Sequence, residues 1–237
     1  MKNWVEYYDS DHSIYVNARH RDVHYARLAE AFLRHVPPGG ARVLDYGCGE
    51  ALHADRIAAA ADRLLLAEAG PAVRGRLMAR FRDNPAITVI TTDEVKALPR
   101  GALDMVILHS VSQYLSSDDF AGLAALFHDL LAPGGLLLVG DVVPPRASVV
   151  ADTVALLKFG RRDGFLVAAA AGLVRTFFSD YRQLRSRIGL TRYSEAEMVA
   201  RLQASGLAAT RAPANAGHLN SRMTFLARKA PLPGRPE

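Results

Sequence analysis

The chain has 237 residues, and half of them are apolar, which is enough to bury the core of one domain with additions. Its formal charge is +5, and its single cysteine, Cys48, excludes a framework of intrachain disulfide bonds. The histidines have no zinc-like spacing, and the polar N-terminus has no signal-peptide pattern. We therefore expect a cytoplasmic protein without a metal site.

Residues 1–40 precede the first apolar strand and are rich in aromatic side chains. A helix is predicted to reach about His35, where the Pro37-Pro38-Gly39-Gly40 break ends it. Two interpretations remain open: the segment covers a ligand site as a cap, or its aromatic side chains only pack a helix onto the sheet.

The strand and glycine turn at residues 43–51, VLDYGCGEA, are the most informative feature of the sequence. Gly47 and Gly49 permit backbone torsions and a close approach to a ligand that a Cβ would prevent. Leu52 stands where the dinucleotide-binding pattern G-x-G-x-x-G needs its third glycine, and the chain has no P-loop. Both of these nucleotide-binding classes are therefore disfavoured. The acid at the end of the strand, Asp45, suits a ligand that carries an ammonium group.

Further apolar strands follow in order and alternate with helical patterns at residues 54–61, 73–81 and 120–131. Glu68 closes the second strand about 20 residues after the glycine turn, the usual position of a carboxylate that accepts ribose hydroxyls. The remaining strands are predicted at residues 87–90, which Asp93 follows, 102–110 and 131–139. The alternation predicts βαβ units and a parallel sheet covered on both faces.

These motifs resemble those of the class I S-adenosylmethionine (SAM) dependent methyltransferases. Their first motif, hydrophobic-hydrophobic-[DE]-x-G-x-G-x-G, is matched except at Ala51, and their L-x-P-G-G turn is matched at residues 131–135. The resemblance covers residues 41–145 closely and 194–229 loosely. It implies a three-layer, Rossmann-like α/β fold with a seven-stranded, mostly parallel sheet, in which residues 223–228 form the one antiparallel strand.

The resemblance also implies that the cofactor is SAM, which leaves as S-adenosylhomocysteine (SAH). Glu68 would bind the ribose, Asp93 the adenine amino group, and Arg19 the carboxylate of the methionine part. The full set of candidate cofactor contacts is Asp45, Gly47, Cys48, Gly49, Glu68, Asp93, His109 and Arg19.

Residues 109–114 follow the fourth strand, at the edge of the sheet where such folds bind ligands. Methyl transfer is an in-line displacement that chiefly needs positioning, and a hydroxyl or an acidic carbon as acceptor also needs a base. His109 is the candidate base, although its position contributes mainly backbone contacts in many relatives. Candidate substrate contacts are Tyr8, Gln113, Tyr114 and His218, and the cap histidines His20 and His24 compete with them.

An insertion after the fifth strand, residues 146–193, is predicted to be helical and accounts for the net positive charge of the chain. Between residues 158 and 192 there are eight basic residues and two acidic ones. Its ten-residue apolar run, 165–174, is too short to cross a bilayer, which needs about 20 residues. The insertion could contact an anionic membrane and admit a lipophilic substrate, bind an acidic ligand or nucleic acid, or form a lid with a solvated outer face.

We therefore expect a cap at residues 1–40, a methyltransferase domain at 41–229 and a disordered tail at 230–237. The acceptor is expected to be a small or lipophilic molecule, methylated on oxygen, nitrogen or carbon. A non-catalytic SAM- or SAH-binding protein and a nucleic-acid methyltransferase are the alternatives. The latter is disfavoured because residues 109–114 lack the Asn/Asp-Pro-Pro-aromatic motif. The sequence does not specify the oligomeric state.

Overall fold

The structure is a computed structural model that describes residues 4–9, 15–147, 149–177 and 189–231. Seven strands form one sheet of order β3-β2-β1-β4-β5-β7-β6. The strands are β1 (Ala41–Tyr46), β2 (Ala61–Ala67), β3 (Ile87–Ile90), β4 (Leu103–His109), β5 (Leu131–Val142), β6 (Leu207–Arg211) and β7 (Met223–Lys229). The helices are α1 (Trp4–Asp9), α2 (Ala18–Leu33), α3 (Ala54–Ala58), α4 (Pro71–Phe81), α5 (Thr92–Lys96), α6 (Ser117–Leu130), α7 (Val149–Asp163), α8 (Leu166–Phe177) and α9 (Glu195–Ala204).

The strand directions confirm the predicted sheet. Strands β1 to β5 pair in parallel, and β7 runs antiparallel to both of its neighbours, β5 and β6. Six strands therefore share one direction and β7 opposes them. This arrangement brings the carboxyl ends of β1, β2, β4 and β5 to the same edge of the sheet.

Both faces of the sheet are buried, as its nearly continuous apolar strands predict. Neighbouring strand residues alternate between two hydrophobic clusters, so that Leu44 lies in one and Val43 in the other. Helices α6 and α9 cover the first face through side chains such as Phe127 and Met198. Helices α2, α3 and α4 cover the second, where Phe32 is buried. The result is the expected three-layer α/β fold.

The first helix after the glycine turn is shorter than the pattern at 54–61 predicts. It ends at Ala58, because the alanines that follow enter β2, where Ala61 pairs with Ala41 of β1. The first helix of the insertion, α7, reaches Asp163. Its end is held by Arg27 of α2, whose guanidinium lies 2.8 Å from the carboxylate of Asp163.

The N-terminal segment joins the fold through both of its helices. Helix α2 packs Leu28 and Phe32 into the core, and α1 buries Trp4 and Tyr7. On its other side, α2 meets the insertion at a small apolar cluster that includes Phe159 and Phe165, each at most 4% exposed. The cap and the insertion thus pack against each other as well as onto the sheet.

Two expectations fall partly or wholly outside the described residues. The arginines at positions 182, 185 and 187 of the insertion belong to the segment 178–188, and the expected disordered tail is described only as far as residue 231. None of the helices within the described ranges has both the length and the apolarity that crossing a membrane requires.

Candidate active site

The glycine turn between β1 and α3 has the backbone that its sequence predicts. Gly47 and Gly49 have φ of +71° and +58°, in the left-handed region that favours glycine. A Cβ on Gly47 would lie 2.6 Å from Cγ2 of Val111, and one on Gly49 would lie 2.9 Å from the hydroxyl of Tyr25. Both positions therefore need glycine for conformation and for space.

Ala51, which replaces the last glycine of the motif, keeps a similar backbone. Its φ is +42°, and it is 5% exposed. A non-glycine residue in this region is strained, and such strain is common at functional sites. The substitution therefore preserves the shape of the turn at an energetic cost.

Glu68, at the end of β2, ties the glycine turn to the start of α4. Its carboxylate accepts hydrogen bonds from the backbone N–H of Gly49 at 3.0 Å and of Gly70 at 2.9 Å. A carboxylate has about four acceptor sites, so these two bonds leave capacity for two ligand hydroxyls. The structure thus brings the proposed ribose acceptor to the glycine turn.

Asp45 lies beneath the turn, at the end of β1, and is 9% exposed. Burial, and secondly the negative charge of Glu68, raise its pKa from the ordinary 3.8 to about 7. An ammonium group bound nearby would favour the ionised form of this carboxylate. The methionine part of SAM carries such a group, so the buried acid and the turn that excludes Cβ atoms fit this cofactor. Cys48 is buried in the same turn, and burial raises the pKa of its thiol.

Two predicted cofactor contacts have other partners in this structure. The Nε of Arg19 donates to the backbone oxygen of Asp163 at 2.5 Å, so this side chain lies against the end of α7 and not at the glycine turn. Asp93 begins α5 next to the end of β3, but its side chain is 86% exposed and pairs with Lys96 at 2.7 Å. Helix α2 thus turns the side chain of Arg19 towards the insertion.

The same helix supplies two residues that the sequence reasoning missed. The hydroxyl of Tyr25 accepts from the backbone N–H of Glu50 at 3.0 Å, which docks α2 on the glycine turn. The Nε of Arg21 is buried and finds no hydrogen-bond partner within the described ranges. Positions 21 and 25 are one helical turn apart and share a face of α2. Their spacing in the sequence could therefore have indicated that they lie on the same side of the helix.

The aromatic residues of α1 contact the short 3-10 helix Ser112–Tyr114. The hydroxyls of Tyr8 and Tyr114 lie 2.5 Å apart, and the ring centroids of Trp4 and Tyr114 are separated by 4.5 Å. Asp9, at the end of α1, accepts from two backbone N–H groups at the start of α4. Tyr8 and Tyr114 are thus brought together, on the side of the site where Glu68 meets α4.

A second group of side chains, here called the histidine cluster, consists of His20 and His24 of α2, His109 of β4 and His218 of the β6–β7 loop. The ring centroids of the first two lie 6.0 and 5.8 Å from that of His218. Two aromatic rings of the insertion stack on the cluster: Phe159 on His218 at 4.6 Å and Phe165 on His20 at 4.9 Å.

Burial keeps the histidine cluster neutral at pH 7. It lowers the pKa of His20 and of His218 to about 4, and neighbouring histidines contribute to the second shift. Burial also lowers the pKa of His24 and of His109, although the charge of Asp141 partly opposes this for His109. The site therefore presents neutral imidazoles that can accept or donate hydrogen bonds.

The candidate base His109 and the predicted substrate contact His218 belong to the histidine cluster, and a second predicted substrate contact, Gln113, lies close to it. The side-chain amide of Gln113 is buried and donates to the backbone oxygen of Ser110 at 3.4 Å. His20 and His24 were competing candidates, and their association with residues far along the chain had no local signal.

Comparison with known proteins agrees with this geometry. Residues 44–139 match the model of a family described as a methyltransferase domain. A curated relative, the probable nonribosomal peptide synthetase CymA of Salinispora arenicola, is 34% identical over 109 residues. That match covers 44% of this chain, which spans only about 1% of the length of the synthetase.

Solved structures of methyltransferases share the fold. Phosphoethanolamine N-methyltransferase 1 of Haemonchus contortus, in complex with phosphoethanolamine and SAH, has a TM-score of 0.62 and 14% identity; the match covers 99% of this chain and 49% of that one. Magnesium protoporphyrin IX methyltransferase of Synechocystis, with bound SAH, has a TM-score of 0.57 and 15% identity, with coverages of 97% and 89%. Residues 44–139 thus match a methyltransferase domain, and the sheet order and the glycine turn are those of the class I SAM-dependent methyltransferase fold.

Proposed function

We propose that this methyltransferase transfers the methyl group of SAM to a small or lipophilic acceptor bound at the histidine cluster. The observation that carries the proposal is the double role of α2. Its Tyr25 contacts the glycine turn, while His20 and His24 face the insertion and the β6–β7 loop. One helix thus connects the candidate cofactor pocket with a second group of polar side chains.

Within the cofactor pocket we assign the ribose to Glu68 and the ammonium group to Asp45. Bound SAM supplies an electrophilic methyl group on a positively charged sulfur. Asp93 would contact the adenine amino group after exchanging its ion pair with Lys96. Because Arg19 lies against α7, we assign the methionine carboxylate to Arg21 instead, whose Nε is buried.

The surroundings of the histidine cluster favour a small acceptor of low charge. Neutral imidazoles and two phenylalanine rings form an apolar surface with a few polar atoms, which is typical of small-molecule sites. The two structural relatives described above are named for small acceptors, since one is a phosphoethanolamine and the other a magnesium protoporphyrin IX methyltransferase. His109 is the candidate base, and Tyr8, Gln113, Tyr114 and His218 are the candidate acceptor contacts.

The insertion is proposed to meet an anionic membrane surface from the cytoplasmic side, through residues 158–192. Val167 of α8 is 85% exposed, and Leu166 is 43% exposed. A surface pocket of about 590 Å³ lies beside them, between α7 and α8. Exposed apolar groups next to basic residues are typical of interfacial helices. A lipophilic acceptor could enter from such a surface.

Calorimetric titration with SAM and SAH tests the cofactor assignment. We expect micromolar binding of both ligands and no binding of NAD. The variant Glu68→Gln should bind SAM more weakly by roughly 1–3 kcal/mol, because the bonds to two hydroxyls lose their charged acceptor. Glu197→Gln is the matched control, since Glu197 also accepts from a backbone N–H, in the capping box of α9. Equal affinity of both variants would contradict the assignment of the ribose.

Transfer of radiolabelled methyl from SAM to cell extracts tests the acceptor class. Label in lipids or small metabolites supports the proposal, and label in RNA or DNA would favour a nucleic-acid methyltransferase. Cofactor binding without labelling of any fraction would favour a non-catalytic binding protein.

Flotation with liposomes tests the membrane contact. We expect binding to vesicles that contain phosphatidylglycerol, weakening as salt is raised, and little binding to pure phosphatidylcholine. Binding that is independent of lipid charge and salt would contradict an electrostatic contact.

A further inference from the structure

The polar residues at the ends of β4 and β5 form a connected chain that ends at His109. The hydroxyl of Ser110 donates to the carboxylate of Asp141 at 2.8 Å, and its oxygen lies 3.0 Å from Nδ1 of His109. A serine hydroxyl has one hydrogen. Because that hydrogen is used towards Asp141, the contact with His109 requires the histidine to carry its proton on Nδ1 and donate it to Ser110.

With the proton on Nδ1, the other ring nitrogen of His109, Nε2, is unprotonated and can act as a base. Nε2 is buried and has no hydrogen-bond partner in the part of the chain that the structure describes. It lies beside the β6–β7 loop, since a Cβ on Gly217 would be 3.7 Å away. The ring itself is closely held: a Cβ on Gly140 would lie 2.5 Å from its Cδ2, and Phe32 meets it edge-on with centroids 5.6 Å apart.

The backbone at this point is unusual in the way that functional sites often are. Ser110 and Asp141 have φ of +58° and +61°, and Ala51 is the other non-glycine residue with positive φ in the described ranges. Strained residues persist when their surroundings hold them. Here the side chain of Asn215 accepts from the backbone N–H of Asp141 at 3.2 Å, and Thr224 of β7 donates to the same oxygen at 2.8 Å.

We propose that Asp141 and Ser110 are positioning residues that fix His109 as the base for an acceptor that must lose a proton, such as a hydroxyl or an acidic carbon. As the bond from the acceptor atom to the methyl carbon forms and the sulfur–methyl bond breaks, the proton of the acceptor moves to Nε2. SAH leaves with the electron pair of the broken bond. The positive charge on His109 then faces Asp141 through Ser110, and the proton passes to solvent before the next turnover. This inference rests on the proposed methyl transfer.

The tautomer of His109 in the intact protein tests the proposal directly. Nitrogen NMR of protein labelled with ¹⁵N-histidine distinguishes the two neutral forms, and His109→Gln assigns the signal. We expect the Nδ1–H form in the native protein. In Ser110→Gly the ratio of the Nδ1–H to the Nε2–H form should fall about tenfold, the weight of one hydrogen bond. Glycine accepts the positive φ, so this variant keeps the fold.

Two further variants sharpen the test. Asp141→Asn removes the charge while tolerating the left-handed backbone, and it should lower the same ratio. Ser112→Ala removes a different buried hydroxyl nearby and should leave the ratio unchanged. An Nε2–H tautomer in the native protein, or an unaltered ratio in Ser110→Gly, would overturn the proposal. These spectra need no cofactor, so failure to bind SAM would refute the proposed function without deciding this point.

Discussion

Replacing Asp45 by asparagine should stabilise the protein without ligand while weakening cofactor binding. The folded structure raises the pKa of this carboxyl from 3.8 to about 7, chiefly through burial. One pKa unit corresponds to about 1.4 kcal/mol, so ionised Asp45 costs up to about 4 kcal/mol above pH 7. Asparagine has a similar shape and does not ionise. We expect a gain of about 2–4 kcal/mol at pH 8, since part of the cost is relieved by relaxation.

The pH dependence gives the sign of the effect. Between about pH 4 and pH 7 the folded state keeps the proton of Asp45 while the unfolded chain loses it, so this group lowers stability as the pH rises. His20 and His218, with pKa values of about 4, act in the opposite direction below pH 6.5. Because both histidines titrate in the variant as well as in the native protein, the difference in stability between the two proteins isolates the contribution of Asp45. Urea unfolding at pH 5 and pH 8 should therefore show a gain that is much larger at pH 8.

Asp104→Asn is the matched control, because the carboxylate of Asp104 pairs with a cation, whereas that of Asp45 is buried and pairs with none among the described residues. Arg42 donates to Asp104 from its backbone N–H at 2.8 Å and from its guanidinium at 2.9 Å, which lowers the pKa of that carboxyl. The control should lose stability at pH 8 and lose less at low pH, where the native carboxylate is itself protonated. If Asp45→Asn is no more stable than the native protein at pH 8, the reasoning from burial is refuted.

The same variant separates stability from function. The ammonium group of SAM should bind the ionised form of Asp45, so SAM affinity of the native protein should fall as the pH is lowered from 8 to 6. In Asp45→Asn the affinity should be lower and nearly independent of pH over this range. Calorimetry in two buffers with different ionisation enthalpies would also detect the proton that leaves Asp45 on binding.

Three further substitutions test other contacts. Gly49→Ala should destabilise the protein by about 1–3 kcal/mol in urea unfolding, because the residue has a positive φ and its Cβ would meet the hydroxyl of Tyr25. The control Gly75→Ala places a Cβ in open space on α4 and should stabilise the protein by about 0.5–1 kcal/mol. Tyr25→Phe should cost about 0.5–1.5 kcal/mol, because the N–H of Glu50 loses its acceptor, and calorimetry should show weaker SAM binding as well. His218→Phe keeps an aromatic ring against Phe159 but cannot be protonated, so thermal unfolding should show a larger gain at pH 5 than at pH 8; equal gains would contradict the lowered pKa.

The cofactor half of the site could be predicted from the sequence because its parts are local. The glycine turn, Asp45 and Glu68 all lie at the ends of β1 and β2, and the hydrophobic pattern fixes where these strands end. Parallel pairing of β1 and β2 then brings the turn and Glu68 together without any information from elsewhere in the chain. The role of Asp93 was harder to predict. Its position one residue into a helix does not determine whether the carboxylate faces a ligand or a neighbouring lysine.

The acceptor half could not be predicted because its contacts join distant segments. The prediction for Arg19 could not include the rotation of α2, which turns Arg19 towards Asp163 and Tyr25 towards the glycine turn. His24 and His218 meet only once the cap, the insertion and the β6–β7 loop have packed together. The hydrogen-bonded chain from Asp141 to His109 needs the pairing of β4 with β5, and nothing in either strand by itself indicates it.

This division of the site also suggests how the acceptor can differ among proteins that share the cofactor. The glycine turn and Glu68 are held by the rigid centre of the sheet, so changes in the cap or the insertion leave their geometry intact. His109, Ser110 and Asp141 lie between the two halves, at the ends of strands that belong to the core, and Asn215 holds the strained backbone of Asp141. A base fixed to the sheet can therefore serve whichever acceptor the surrounding helices select, whereas a base carried by the insertion would move with every change in specificity.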